Sequence, residues 1–267
     1  MTIIDAHTHA SKFWFEPVES LLDQLSRNGV SGALLVQDVD EPDPEYLFEC
    51  AARYPMTVWP VVAVKATEED APELLASYAK RGAVGVRLYQ ADRSPGPDPL
   101  RIWKSAEALG LPVSCRGKSP YYASPSFEEL VRAVPDLPIV LEHLGDGATP
   151  FSNFRGTWQQ RLAVFELARF QNIYLKVQGL GEFSHRRVPV DGQSIFVDPL
   201  PGLLESAYEA FGPTRLLWGS DYPPVSGREG YANALRIPKE RIQNANPDAV
   251  GSVFGENAIR LYRLNVT

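Results

Sequence analysis

Two histidines stand one residue apart near the start of the chain, directly after a short apolar run. The run begins at Ile3, and the histidines are His7 and His9, two of only four in the chain. Side chains in an extended backbone alternate between two faces, so residues two apart point the same way. Both imidazoles can therefore converge on one metal ion or one reacting carbonyl group. The alternative is a solvated pair without a role.

Strand-like and helix-like segments alternate eight times along the 267 residues. Apolar strands separated by helices are typical of a parallel sheet that is covered on both faces. Eight such units predict a single α/β domain over residues 1–267, a (β/α)₈ TIM barrel. The alternative is a doubly wound open sheet, whose first strand normally leads into a glycine-rich phosphate turn. The strands are predicted at 3–6, 32–36, 57–64, 83–89, 111–116, 137–143, 173–177 and 215–219.

The reactive side chains gather at the ends of these predicted strands. In a (β/α)₈ barrel the active site lies at the carboxyl ends of the strands. Strand alternation predicts that Glu142 faces the helices, away from its neighbour His143. Tyr121, Tyr122 and His185 are further candidates for the pocket. The predicted strand-end residues are His7, His9, Arg87, Arg116, His143, Lys176 and Asp221.

Composition excludes several classes of partner. There are 26 Lys and Arg against 33 Asp and Glu, a formal net charge of −7 without a basic stripe, which argues against nucleic acid. No apolar run is long enough to cross a membrane, and no signal peptide is evident. Cys50 and Cys115 lack the spacing of metal ligands, and we expect a reducing, cytoplasmic location.

Three motifs occur in a characteristic order along the chain. They are Asp-Ala-His-Thr-His at 5–9, Glu-His-Leu-Gly at 142–145 and Gly-Ser-Asp-Tyr-Pro at 219–223. In this set the chain resembles the amidohydrolase superfamily, in its "amidohydrolase 2" branch. The resemblance implies a distorted TIM barrel that hydrolyses or decarboxylates small molecules. It also implies a divalent metal, zinc or manganese, held by His7, His9 and Asp221, with His143 as the histidine of strand six.

One position departs from the metal-dependent members, which usually carry a histidine at the end of strand five. Here that position is Arg116. A guanidinium has only donors and a permanent positive charge, so it cannot bind a cation and would repel one. It suits a carboxylate or a developing oxyanion instead. In this the chain is similar to the pyrone-dicarboxylate and sugar lactonase group, some of whose members work without metal. The sequence leaves metal binding open.

The residue types suggest a mechanism. Asp221 would deprotonate a water that attacks a lactone or ester carbonyl, while His7, His9 or His143 hydrogen-bonds the carbonyl oxygen. The predicted protein is a hydrolase of a small carboxylated substrate. The alternatives are a metal-dependent non-oxidative decarboxylase and a barrel that only binds a ligand.

Substrate recognition is assigned to positive and aromatic side chains. Arg87 and Arg116 would orient the substrate carboxylate, although either could instead be a structural partner of Glu142 or Asp5. Lys176, Tyr121 and Tyr122 complete the predicted substrate-binding set. The sequence does not fix the oligomeric state, and a homo-oligomer is among the options.

Overall fold

Eight parallel strands form one sheet, and sequence order is also spatial order. The computed structural model describes residues 1–267 except 39–42, 147–153, 179, 183, 185, 188–194, 198–201 and 267, with backbone only for 154–158. The strands are β1 (Ile4–Thr8), β2 (Gly32–Val36), β3 (Val58–Ala63), β4 (Gly85–Tyr89), β5 (Val113–Arg116), β6 (Ile139–Leu141), β7 (Ile173–Val177) and β8 (Leu216–Trp218).

The sheet closes where the chain leaves β8. Thr8 forms a parallel bridge with Tyr222, and the backbone N–H of His9 donates to the Tyr222 carbonyl at 2.7 Å. The predicted (β/α)₈ barrel is therefore confirmed. Strand six is shorter than predicted, because β6 ends at Leu141 and a 3₁₀ turn (His143–Gly145) follows it.

Helices lie between the strands and complete the barrel. They are α1 (Val18–Asn28), α2 (Glu45–Arg53), α3 (Ala71–Lys80), α4 (Arg101–Leu109), α5 (Ser119–Tyr122), α6 (Pro125–Ala133), α7 (Phe154–Phe165), α8 (Leu203–Phe211), α9 (Tyr231–Ala245), α10 (Ala249–Gly251) and α11 (Asn257–Tyr262). Within the described ranges, no helix combines the length and apolar character that a bilayer crossing requires.

The apolar core has two parts that reveal which way each strand residue points. The larger cluster fills the space between strands and helices and includes Leu35, Val86 and Leu175. The smaller cluster fills the barrel interior with side chains such as Ile4 and Val140. Because side chains alternate along a strand, these two sets fix the inward and outward positions near the site.

Candidate active site

A β-bulge in β1 turns His7 and His9 toward the barrel axis. Ile4 and Ala6 belong to the interior cluster, so strict alternation from them would point both histidines outward. The pairing register shifts between Asp5 and Thr8, and a bulge of this kind re-aims the side chains that follow it. His7 is completely buried and His9 is 4% exposed. The two imidazoles share one face, as expected, but they do so because of the bulge, which the spacing of the histidines does not predict.

The hydrogen bonds of His9 leave a lone pair facing the centre. Its Nδ1 lies 2.6 Å from the carbonyl oxygen of Val36, a contact in which the ring must donate, so Nε2 is the unprotonated nitrogen. Burial, together with the charge of Arg87, lowers the pKa of His9 to about 3. His9 is therefore a neutral acceptor at neutral pH.

His7 lies against a buried lysine. Lys176 Nζ is 2.9 Å from His7 Nδ1, whereas His7 Nε2 is buried without a hydrogen-bond partner among the described residues. Burial, followed by the charge of Lys176, holds the pKa of His7 well below its usual value. An ammonium donating to Nδ1 leaves the proton on Nε2, which then points at the centre as a donor.

Asp221 faces both histidines from the turn after β8. Its Oδ1 lies 3.8 Å from His7 Nε2 and 3.8 Å from His9 Nε2. The backbone at Asp221 is left-handed, with φ 62°, and its N–H donates to the His7 carbonyl at 2.9 Å. Burial raises the pKa of Asp221 above its ordinary value, although His143 and Arg228 act in the opposite direction. The carboxyl is thus a stronger base than a solvated aspartate.

Below this centre, side chains from β4, β5 and β7 and from the residue after β6 form one buried polar layer. Glu142 accepts from Arg87 through both of its oxygens, at 3.0 and 2.8 Å, and from Ser114 at 2.7 Å. Lys176 donates to Ser114 at 2.6 Å, which links the layer to His7. Burial raises the pKa of Glu142, but the Arg87 and Lys176 charges outweigh it and the net shift is downward. Glu142 is therefore an anion between two cations.

Two sequence-based expectations change here. Glu142 was expected to face the helices, and this is wrong, because Val140 points into the barrel and alternation carries Glu142 inward with it. Arg87 was expected to orient a substrate carboxylate, with Glu142 as the alternative partner. Its guanidinium binds Glu142 and also donates to the Gln37 carbonyl at 3.2 Å, so the geometry favours the structural alternative.

His143 reaches the centre through a backbone turn. Its φ is 51° and that of Leu144 is also 51°, a left-handed pair that breaks the alternation after β6. His143 Nδ1 lies 3.0 Å from Glu182 Oε1. Burial lowers the pKa of His143, but Glu182 and Asp221 outweigh it and the net shift is upward.

Arg228 joins two of these groups, and sequence reasoning did not find it. Its Nη1 lies 2.9 Å from Asp221 Oδ2 and 2.9 Å from Glu182 Oε1. Arg228 and Glu182 lie beyond the strand ends. Arg228 is seven positions after Asp221, and Glu182 is five positions after the end of β7. A strand-end rule cannot identify such residues. The one feature of the sequence that could have indicated Arg228 is its position shortly after the candidate base Asp221.

The other residues predicted for the site are Arg116, Tyr121, Tyr122 and His185. The Arg116 guanidinium is 5.6 Å from the centroid of the Tyr89 ring, at the rim of β4 and β5. Tyr122 is completely buried, and its hydroxyl donates to the Cys115 carbonyl at 2.6 Å, which makes it a core residue. Tyr121 is 57% exposed. His185 lies outside the described residues.

The centre offers ligands for a divalent cation. Among the described residues, His7, His143 and Asp221 place ligand atoms within 4.8 Å of one another. His9 is not in that group, but its Nε2 lone pair is 3.8 Å from Asp221 Oδ1. His7 Nε2 is a buried nitrogen without a hydrogen-bond partner among the described residues, and it can bind a cation when its proton sits on Nδ1 and donates to an uncharged Lys176 amine. The donor set therefore fits zinc or manganese.

A cavity of about 470 Å³ lies between the carboxyl ends of β2 to β4 and helix α3, and its lining residues do not include His7, His9, His143 or Asp221. This volume is in the range of small-molecule sites. Arg87 and Gln37 line its inner end, and Val64, Leu74 and Tyr89 line other parts of its wall.

The fold and the site together define a (β/α)₈ barrel with a histidine and carboxylate centre at the carboxyl ends of its strands. The family model Amidohydro_2, described as amidohydrolase, matches residues 4–264. The chain belongs to the amidohydrolase family.

Individual relatives agree with this assignment. The chain is 27% identical to the L-fucono-1,5-lactonase of Burkholderia ambifaria over 288 residues, which covers 98% of this chain and 96% of that protein. A zinc-bound amidohydrolase from Burkholderia multivorans has a similar fold, with a TM-score of 0.77, 18% identity and coverage of 99% and 100% of the two chains. A putative 2-pyrone-4,6-dicarboxylic acid hydrolase from Pseudomonas putida gives a TM-score of 0.73, 23% identity and coverage of 100% and 99%.

Proposed function

We propose that this protein hydrolyses the lactone ring of a small molecule, with Asp221 as the general base. The observation that carries the proposal is the position of Asp221 Oδ1, 3.8 Å from both His7 Nε2 and His9 Nε2. This separation is too long for a direct hydrogen bond, but a water to one side of these three atoms can lie within hydrogen-bond distance of each of them. The lactonase relative supports the same chemistry.

The two histidines have different roles in this scheme. His9 Nε2 carries a lone pair, so it accepts a hydrogen bond from the attacking water and holds it toward Asp221. His7 Nε2, protonated when Lys176 donates to Nδ1, donates to the lactone carbonyl oxygen as negative charge develops there. The sequence alone did not separate these two roles.

Asp221 takes up and then returns the one proton that the reaction transfers. The carboxylate takes a proton from water, the water oxygen bonds to the carbonyl carbon, and the ring C–O bond then breaks. The proton on Asp221 passes to the leaving ring oxygen, and the product is a hydroxy acid. His143, whose Nδ1 faces Glu182, is a further candidate for hydrogen bonding to the substrate oxygens.

A divalent cation fits the same residues. His7, His143 and Asp221 would hold it, with His9 Nε2 3.8 Å from Asp221 Oδ1 as the further ligand. When bound, such an ion would polarise the carbonyl and lower the pKa of a bound water. Elemental analysis of purified protein before and after chelation, with activity measured on both samples, determines whether zinc or manganese is present and required.

The decisive experiment compares Asp221→Asn with a surface control, Asp98→Asn. Lactone opening is followed by acid release across a panel of five- and six-membered lactones. We expect Asp221→Asn to lose about 10²- to 10⁴-fold in kcat, as is usual for removal of a general base, while Asp98→Asn retains wild-type turnover. Full activity in Asp221→Asn would refute the proposal. Release of CO₂ from small carboxylic acids, without lactone opening, would support the decarboxylase alternative.

A further inference from the structure

Gln178 is a buried amide whose two polar atoms have no hydrogen-bond partner among the described residues. The residue is 2% exposed, and neither Oε1 nor Nε2 makes a hydrogen bond within the part of the chain that the structure describes. A buried amide without hydrogen-bond partners destabilises the folded state, because its polar groups have left water without compensation. A side chain kept in this state has both a donor and an acceptor available for a ligand.

The position of Gln178 directs it to the proposed site. It directly follows β7, and strand alternation places it on the same side as Lys176, whose Nζ contacts His7. The neighbouring Val177 carbonyl accepts from the N–H of Gly219 at 3.1 Å, two residues before Asp221. Gln178 thus lies at the barrel mouth, one inward position above the polar layer.

Two other polar atoms without a hydrogen-bond partner in the described part of the chain lie in the segments that follow β7 and β8. Arg228 Nη2 and Glu182 Oε2 are both buried without a hydrogen-bond partner among described residues. The Arg228 nitrogen can only donate a hydrogen bond, and the Glu182 carboxylate oxygen accepts one. A substrate carboxylate, which only accepts, would be repelled by Glu182, whereas a hydroxyl can both donate and accept. This side of the site is therefore matched to a neutral hydroxyl group.

We propose that Gln178 binds a ring hydroxyl of the substrate and selects hydroxylated lactones over unsubstituted ones. The hydroxyl donates to Oε1 and accepts from Nε2, which satisfies both amide atoms at once. This inference rests on the proposed lactone hydrolysis and adds a specificity-determining residue to it.

The test uses two six-membered lactones that differ in their hydroxyl groups, glucono-1,5-lactone and δ-valerolactone. Gln178→Met keeps the length of the side chain and removes both polar atoms, and Gln178→Leu is measured in parallel so that the test does not depend on the folding of one variant. Gln171→Leu, at an exposed position, is the matched control. We expect kcat/KM on glucono-1,5-lactone to fall about 10- to 100-fold in both Gln178 variants, with activity on δ-valerolactone changed less than about 3-fold.

Equal losses on both lactones, or no loss on either, would overturn the assignment of Gln178. Calorimetric binding of the non-hydrolysable glucono-1,5-lactam separates this result from failure of the proposed function. If the wild type opens no lactone, selective loss of lactam affinity in Gln178→Met still supports hydroxyl binding by Gln178. Equal affinity in the two proteins, or no binding by the wild type, counts against it.

Discussion

Arg228 holds Asp221 by one oxygen, with Nη1 2.9 Å from Oδ2. The same nitrogen donates to Glu182 Oε1 at 2.9 Å, and that oxygen lies 3.0 Å from His143 Nδ1. One guanidinium therefore links the proposed base to the carboxylate that contacts His143. Because Oδ2 is engaged, Oδ1 is left facing His7 and His9, and the ion pair fixes which oxygen of Asp221 can act as the base.

Replacing Arg228 should move the pH dependence of catalysis. Arg228 lowers the pKa of Asp221 against the larger raising effect of burial, so Arg228→Met should raise that pKa further. Asp221 is a base only when ionised, and the acid limb of the kcat/KM profile should therefore shift to higher pH. A fall of about 10-fold in kcat at the plateau is also expected, because the carboxylate is no longer oriented.

Arg228→Lys is the matched variant for this test. It retains the positive charge but not the planar guanidinium, so its acid limb should stay near the wild-type position while kcat falls. A pH–rate profile of Arg228→Met that superimposes on the wild-type profile would show that the ion pair does not control the base.

Glu142 should be essential for stability rather than for substrate contact. In Glu142→Gln the buried cations Arg87 and Lys176 lose the anion between them. Removing one partner of a buried ionic network typically costs about 3–5 kcal/mol. Urea denaturation should show a loss of this size in the free energy of unfolding.

Glu45→Gln is the control for that measurement. Glu45 pairs with Arg81 at 2.6 Å, with both side chains about half exposed. Exposed pairs contribute about 0–1 kcal/mol, so the control should unfold close to the wild type. A Glu142→Gln protein as stable as the control would mean that the buried layer tolerates an unpaired charge.

The sequence predicted the barrel because eight apolar strands, each followed by a helix, leave few other arrangements. It also placed His7, His9, His143 and Asp221 at one rim, since each follows a strand. Alternation failed at the ends of β1 and β6, where a bulge and left-handed backbone change the side-chain directions. The bulge and the left-handed turn depend on contacts between distant segments of the chain. The alternation of residues along one strand gives no information about such contacts.

Partnerships between charges were harder to predict than positions. Arg87 was predicted at the rim of strand ends, but it lies in the buried polar layer, and only the structure shows that Glu142 takes two of its donors. Arg228 and Gln178 lie beyond the strand ends, where no periodic pattern marks them. Which arginine is available to a ligand depends on the distances between side chains, and the sequence carries no direct record of those.

Arg116 and Arg87 should respond differently to the same substitution. Arg116, beside Tyr89 at the rim, is the arginine we propose for a substrate carboxylate, so Arg116→Met should raise KM about 10- to 100-fold on carboxylated lactones only. Arg87→Met removes the bidentate partner of Glu142 and should chiefly lower stability. Steady-state kinetics on matched lactones with and without a carboxylate, together with thermal melts, distinguishes the two. Equal KM effects on both lactones would exclude carboxylate binding by Arg116.

Asp5 should make stability fall as pH rises. The carboxyl accepts from the Ser220 N–H and from the Tyr231 hydroxyl, each at 2.8 Å, but burial dominates and raises its pKa from 3.8 to about 6. The folded state therefore binds this proton more tightly than the unfolded state does. The resulting stabilisation is complete below about pH 4 and is lost as pH rises through about 6, a difference of roughly 3 kcal/mol.

Asp5→Asn cannot titrate at this position, so its free energy of unfolding relative to wild type should improve between pH 4.5 and pH 7.5 in urea denaturation. The half-exposed Asp98 provides the control, because its hydrogen bond to Lys104 lowers its pKa instead of raising it. The stability that Asp98 contributes is present above its unfolded pKa of about 4 and is lost only at lower pH, so the difference between Asp98→Asn and wild type should stay nearly constant from pH 4.5 to 7.5. An Asp5→Asn difference that is constant across this range would mean that the Asp5 carboxyl is ionised throughout, and that its hydrogen bonds outweigh its burial.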